Sequence, residues 1–88
     1  MLSYARQGEG SDVYVYRGGA LFCMGGFHSA WLTYETASEA EMLEHLHRHM
    51  DAGDEVPETA LLRLIAERDG VPYETEVERV LKALREQA

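Results

Sequence analysis

"SDVYVYRGGALFCMGG", from Ser11 to Gly26, decides how this chain begins to fold. Val13 and Val15 alternate with Tyr14 and Tyr16, the period of a strand with one face turned inward. Gly18 and Gly19 follow, and both accept the positive φ that a tight hairpin turn demands. "ALFCM" is the returning strand. A loop made of that glycine pair predicts Arg17 opposite Ala20, Val15 opposite Phe22 and Tyr14 opposite Cys23. Gly25 and Gly26 end the strand in another turn. Upstream, residues 1–10 show no periodicity and read as a flexible lead. Downstream, "AWLTYET", Ala30 to Thr36, is rich in β-branched and aromatic residues and predicts a third strand.

Three helices complete the expectation. Ser38 and Glu41 make the capping-box pattern S-x-x-E for a helix from about Glu39 to Ala52, with Gly53 in the position after its cap. Pro57 suits the first position of a second helix, which Gly70 stops after Asp69. Thr75 and Glu78 repeat the capping pattern and predict the start of a third. In that helix Val77, Val80, Leu81 and Leu84 fall at i, i+3, i+4 and i+7, one apolar stripe. The predicted class is α+β: a small hairpin or three-stranded sheet followed by three helices. Residues 11–70 form the folded unit. Residues 71–88 add an amphipathic helix, packed on that unit, against Leu61, Leu64 and Ile65, or on a partner.

An 88-residue chain supports one small domain with a thin core. Its single cysteine excludes an internal disulfide and fits a reducing compartment, so a cytoplasmic protein is expected. No apolar run approaches the roughly 18 residues of a membrane span, and the first residues lack the apolar core of a signal peptide. Sixteen acidic against eight basic residues give a net charge of −8. That field repels phosphates and weighs against nucleic acid as a partner. It serves solubility, or an acidic surface that docks on a basic protein.

All four histidines lie between Cys23 and Met50. His45 and His49, four apart on a helix, share one face with Met42, Leu46 and Met50; His47 projects away. Two imidazoles one turn apart can hold one metal ion, and a thiolate at a hairpin end is a natural third ligand. The hairpin, "EHLHRH" and "AGDEVP" together resemble a group of short uncharacterised proteins of actinobacterial viruses and their hosts. Members carry C-x-x-C on the hairpin, H-L-x-x-H on the helix and V-P beyond it. The resemblance spans about residues 11–70 and implies a ββα zinc-finger-like unit with zinc as cofactor, held here by Cys23, His45 and His49. Gly26 stands where the second cysteine belongs. His28 is the nearest substitute ligand, with a carboxylate or water as alternatives.

Three arrangements stay open at this point. Zinc is bound by the reduced set; or the metal is lost and Phe22, Met24, Trp31 and Leu46 fill its place; or the ligands never converge. Losing one thiolate of two removes a soft donor and a negative charge, which lowers zinc affinity in the first case.

Enzyme readings fail on the residues. Glu44 precedes His45, so the order is not the H-E-x-x-H of zinc hydrolases. No basic neighbour or helix N-terminus marks Cys23 as an activated thiol. The first turns of the His-bearing helix carry Glu39, Glu41 and Glu44, the wrong sign for reading DNA with a finger helix. A non-enzymatic accessory protein acting by protein–protein interaction is therefore expected, and the resemblance implies a viral origin and the cytoplasm of a bacterial host cell. The candidate docking residues are Tyr14 and Tyr16 on the sheet and Val77, Val80, Leu81 and Leu84 on the last helix. That helix would also serve a homodimer. A zinc-stabilised nucleic-acid-binding or regulatory module is the alternative, and an acidic mimic of nucleic acid is a third reading.

Overall fold

The computed structural model describes residues 2–8, 10–26 and 33–87. It is an α+β fold, a four-stranded antiparallel sheet followed by three helices. The strands are β1 (Leu2–Ala5), β2 (Val13–Gly18), β3 (Leu21–Gly26) and β4 (Tyr34–Thr36), in the spatial order β1-β2-β3-β4. The helices are α1 (Glu39–Asp51), α2 (Glu58–Asp69) and α3 (Tyr73–Gln87).

The parity of the opening stretch holds. Val13 and Val15 are fully buried on the inner face, where Phe22 and Met24 join them. Met42, Leu43 and Leu46 of α1 and Ala60 and Leu64 of α2 close the core from above. Tyr14 and Tyr16 lie half-buried on the outer face.

The register differs from the expected one. The turn sits at Gly19-Ala20, so Arg17 faces Phe22, Tyr16 faces Cys23, Val15 faces Met24 and Tyr14 faces Gly25. Moving the turn by one residue moves each partner by two, which keeps every side chain on its face. The gain is room on the outer face. Tyr14 lies over Gly25, where an added Cβ would meet the phenol oxygen at 2.5 Å. The predicted register would have set a side chain at that place.

The lead expected at residues 1–10 is instead an edge strand. β1 pairs with β2 through Leu2↔Arg17 and Ser3↔Tyr16, and a bulge then shifts the register to Ala5↔Val15. The bulge turns Tyr4 and Ala5 inward together, and both are buried. Tyr4 tilts against the Phe22 ring, and its hydroxyl donates to both carboxylate oxygens of Glu67 on α2 at 2.7 Å. Burial first, and the Glu67 carboxylate second, hold that hydroxyl well above the ordinary tyrosine range.

Of the expected third strand, the described part is Tyr34–Thr36; Ala30 to Leu32 lie outside the described residues. The α1 cap forms with one change. Ser38 accepts from the Glu41 amide at 3.3 Å, as the capping pattern predicts. Thr36 replaces the direct return contact: its oxygen accepts the Ser38 amide at 3.2 Å and its hydroxyl donates to Glu41 at 2.6 Å. Pro57 stands one place earlier than expected, as the N-cap of α2. The capping role expected of Thr75 and Glu78 is not taken, because α3 already begins at Tyr73. The Pro72 carbonyl accepts from the Thr75 and Glu76 amides, and the fixed φ of Pro72 sets the chain up to enter the helix.

Candidate functional site

α1 ends in a Schellman motif, and that motif builds the site. Gly53 takes φ 100°, a left-handed value that glycine reaches without a Cβ clash. The Gly53 amide then donates to the Met50 carbonyl at 3.0 Å and the Asp54 amide to the His49 carbonyl at 3.0 Å. Asp54 is thereby folded back under the helix and buried. Its Oδ2 accepts from His49 Nδ1 at 2.8 Å.

His49 Nε2 stands 3.2 Å from His45 Nε2. A carboxylate beside Nδ1 accepts the hydrogen bond of that nitrogen's proton, and the tautomer with its proton there leaves Nε2 to accept from His45 Nε2. The His45 ring stacks on Tyr34, centroids 3.8 Å apart and planes 6° from parallel. Desolvation, then His49, then Arg48 hold His45 below the ordinary histidine range. The result is a chain from Asp54 through His49 and His45 to Tyr34, at the seam between α1 and β4. Beside it a cavity of about 330 Å³ opens, lined by Tyr34, Glu41, Glu44, His45 and Arg48.

Cys23 is not part of this chain. It pairs with Tyr16 across the hairpin and points with the tyrosines to the outer face, while Phe22 and Met24 on either side of it point to the core. Contact with Cys23 is the first cause that holds the Tyr16 hydroxyl above its ordinary value. His28 lies outside the described residues. Thus two of the four expected ligands, His45 and His49, come together, and the thiol stands on the other side of the sheet. Among the described residues, no three His, Cys, Asp or Glu side chains are grouped to hold a metal ion.

The separation of the two imidazole nitrogens is close to that of two ligands on one zinc ion. Two nitrogens at about 2.05 Å from a tetrahedral centre lie about 3.3 Å apart, and the imidazoles are at 3.2 Å. A carboxylate on the far nitrogen of a metal-ligating histidine customarily fixes its tautomer and orients its ring. Asp54 and Tyr34 carry the site's geometry; the sequence offers Tyr34 as an aromatic strand residue and Asp54 as part of "AGDEVP", with no role beside the histidines for either. The available signal was the Gly-Asp step immediately past the helix end. His47 is exposed, as its position on the helix predicts.

The outer face carries the tyrosine patch. Tyr14 and Tyr16 stack with centroids 5.9 Å apart and planes at 21°. α3 is the other candidate surface. Its root packs on α2: Arg63 lies over the Tyr73 ring at 5.6 Å, Glu76 is buried, and Arg79 pairs with Glu76 and Asp69. From Glu78 to Gln87 every residue is exposed. Val80 is 36% exposed, Leu81 51% and Leu84 58%. No described helix is long and apolar enough to cross a membrane.

No family model, curated protein or solved structure matches the chain.

Proposed function

We propose that this is a non-enzymatic accessory protein that works by docking on other protein surfaces. The observation that carries the reading is the bare apolar stripe of α3. A helix of this length is marginal in water unless an apolar face is covered, yet Leu81 and Leu84 are more than half exposed. The stacked tyrosines of the outer face supply a second anchor of the type that interfaces favour. The resemblance of the hairpin and His-bearing helix to short viral proteins of actinobacteria supports an accessory role inside a bacterial cell. Affinity capture from such a host, with the full chain, a chain ended after Gly70 and a Tyr14→Ser/Tyr16→Ser variant, tests it. A partner lost with either change is expected. A partner set indifferent to both changes sinks the reading.

A second reading has its own support. The 3.2 Å separation of the two Nε2 atoms, with Asp54 behind His49, suits a divalent ion. His45 and His49 would then hold zinc, which would stabilise the α1–β4 seam of a regulatory module. Metal analysis of protein purified without chelator, beside His45→Gln, tests this: stoichiometric zinc lost in the variant is required.

A further inference from the structure

We propose that the exposed stripe of α3 is one half of an interface, and that its occupant is α3 of a second copy running antiparallel. This rests on the docking reading and names the partner of that helix. At about 100° per residue, Val77, Val80, Leu81 and Leu84 fall in an arc about 100° wide. Glu74, Glu78 and Arg85 fall together along one flank of that arc, within about 40° of one another. A two-fold axis between Val80 and Leu81 sets Val77 against the partner's Leu84 and Val80 against the partner's Leu81. The same axis lays the charged flank on its own copy, head to tail. Arg85 then stands level with position 76 of the partner, about 3 Å along the axis from both the partner's Glu74 and the partner's Glu78. The symmetry makes this contact twice.

Among the described residues these three charges form no ion pair within one chain. Among the described residues, the ion pairs of α3 join Arg79 to Glu76 and Asp69, and Lys82 to Glu86. A parallel pairing would instead leave Glu74, Glu78 and Arg85 without opposite charges, because the other flank carries Ala83 and Gln87 beside a Glu76 already buried and paired with Arg79. Antiparallel helices also set opposite dipole ends together. The partner's last turn arrives where the fold leaves space. A cavity of about 370 Å³ at the root of α3 is lined by Leu2, Ala66, Val71 and Tyr73 together with the charged Arg63, Glu67 and Glu74, and Leu2 there is 46% exposed.

Analytical ultracentrifugation of the full chain across a concentration series tests the pairing. A dimer is expected. Leu81→Glu should weaken it by about 100-fold or more, since each side chain is lost twice. Arg85→Glu and the pair Glu74→Lys/Glu78→Lys should each give monomers of unchanged helical circular dichroism, and mixing those two variants should restore a heterodimer. A dimer that survives Leu81→Glu overturns the site. A dimer lost with Leu81→Glu but indifferent to Arg85→Glu overturns the antiparallel pairing. A wild-type monomer overturns the proposal, and hydrogen exchange then separates the two readings. Fast exchange over residues 79–87 leaves docking on a different protein intact. Slow exchange in that monomer removes the docking reading as well.

Discussion

Tyr4→Phe removes one oxygen and leaves the ring. In the folded chain that oxygen donates to both Glu67 carboxylate oxygens at 2.7 Å, joining the edge strand to α2 across most of the sequence. The ring keeps its place against Phe22, so no cavity opens. A hydrogen bond to a charged group contributes about 1.5–3 kcal/mol. Glu67 is only half-buried, and water can reach its carboxylate once the phenol is gone. The low end applies, about 1.5 kcal/mol. For a chain of this size that lowers Tm by about 6–12 °C. Urea unfolding should show a lower midpoint with an unchanged slope. A double-mutant cycle with Glu67→Ala should return a coupling of about 1 kcal/mol.

The pH course follows from the raised hydroxyl. A folded value above the ordinary 10.0 means the stabilisation is complete below pH 10 and fades as pH climbs through the folded value. The gap between wild type and Tyr4→Phe should therefore be flat through neutral pH and close in strong alkali. A coupling within about 0.3 kcal/mol of zero would refute the clamp, and with it the membership of residues 2–5 in the fold.

Other outcomes follow from the same structure. Leu46→Ala opens the core between α1 and the sheet at a fully buried position and should cost about 3 kcal/mol in denaturant unfolding; a loss under about 1 kcal/mol would mean α1 is loosely seated. Gly25→Ala drives a methyl into the Tyr14 ring and should cost about 1–2 kcal/mol, with a change in near-ultraviolet circular dichroism as the tyrosine stack opens. His45 is held below the ordinary 6.5, so its contribution is present above pH 6.5 and is lost as pH falls through that value towards its folded one. Glu41, Glu44 and Arg48 of α1, Tyr34 of β4 and His49 face it. Stability should therefore drop on acidification through this window, and His45→Gln should flatten the drop; an equal slope in the variant counts against it.

What the sequence made legible was parity and punctuation. Val13 and Val15 marked the inner face, Gly53 and Gly70 marked helix ends, and the i, i+4 histidines met. What it hid depended on choices that local pattern leaves open. Gly18-Gly19-Ala20 allows two turns of the same hand and parity, and only the packing of Tyr14 over Gly25 selects between them. "LSYA" has no alternation to read, because a bulge buries Tyr4 and Ala5 side by side. Asp54 is polar and sits in a turn, so beyond the Gly-Asp step nothing nearby betrays its burial; the Schellman geometry carries it beneath His49.

The place of Cys23 was legible after all, and it bears on how the finger motif can work here. Cross-strand partners share a face. In the expected register Cys23 opposes Tyr14 and in the observed one Tyr16, so in either it follows the tyrosines and not the valines that the helices cover. Bringing the sulfur round to His45 and His49 requires a one-residue slip of β3, which would turn Phe22 and Met24 to water. Each of those side chains contributes about 1.5–3 kcal/mol by its burial, before any cavity is counted. One thiolate joined to two imidazoles, with the second sulfur already replaced by Gly26, must overcome that loss and also unstack the tyrosines. The apolar pattern of the strand therefore outweighs the ligand pattern laid over it. A cation shared by the two Nε2 atoms would draw its further ligands from somewhere other than Cys23, while Asp54 and Tyr34 hold the imidazole pair in place through contacts of their own.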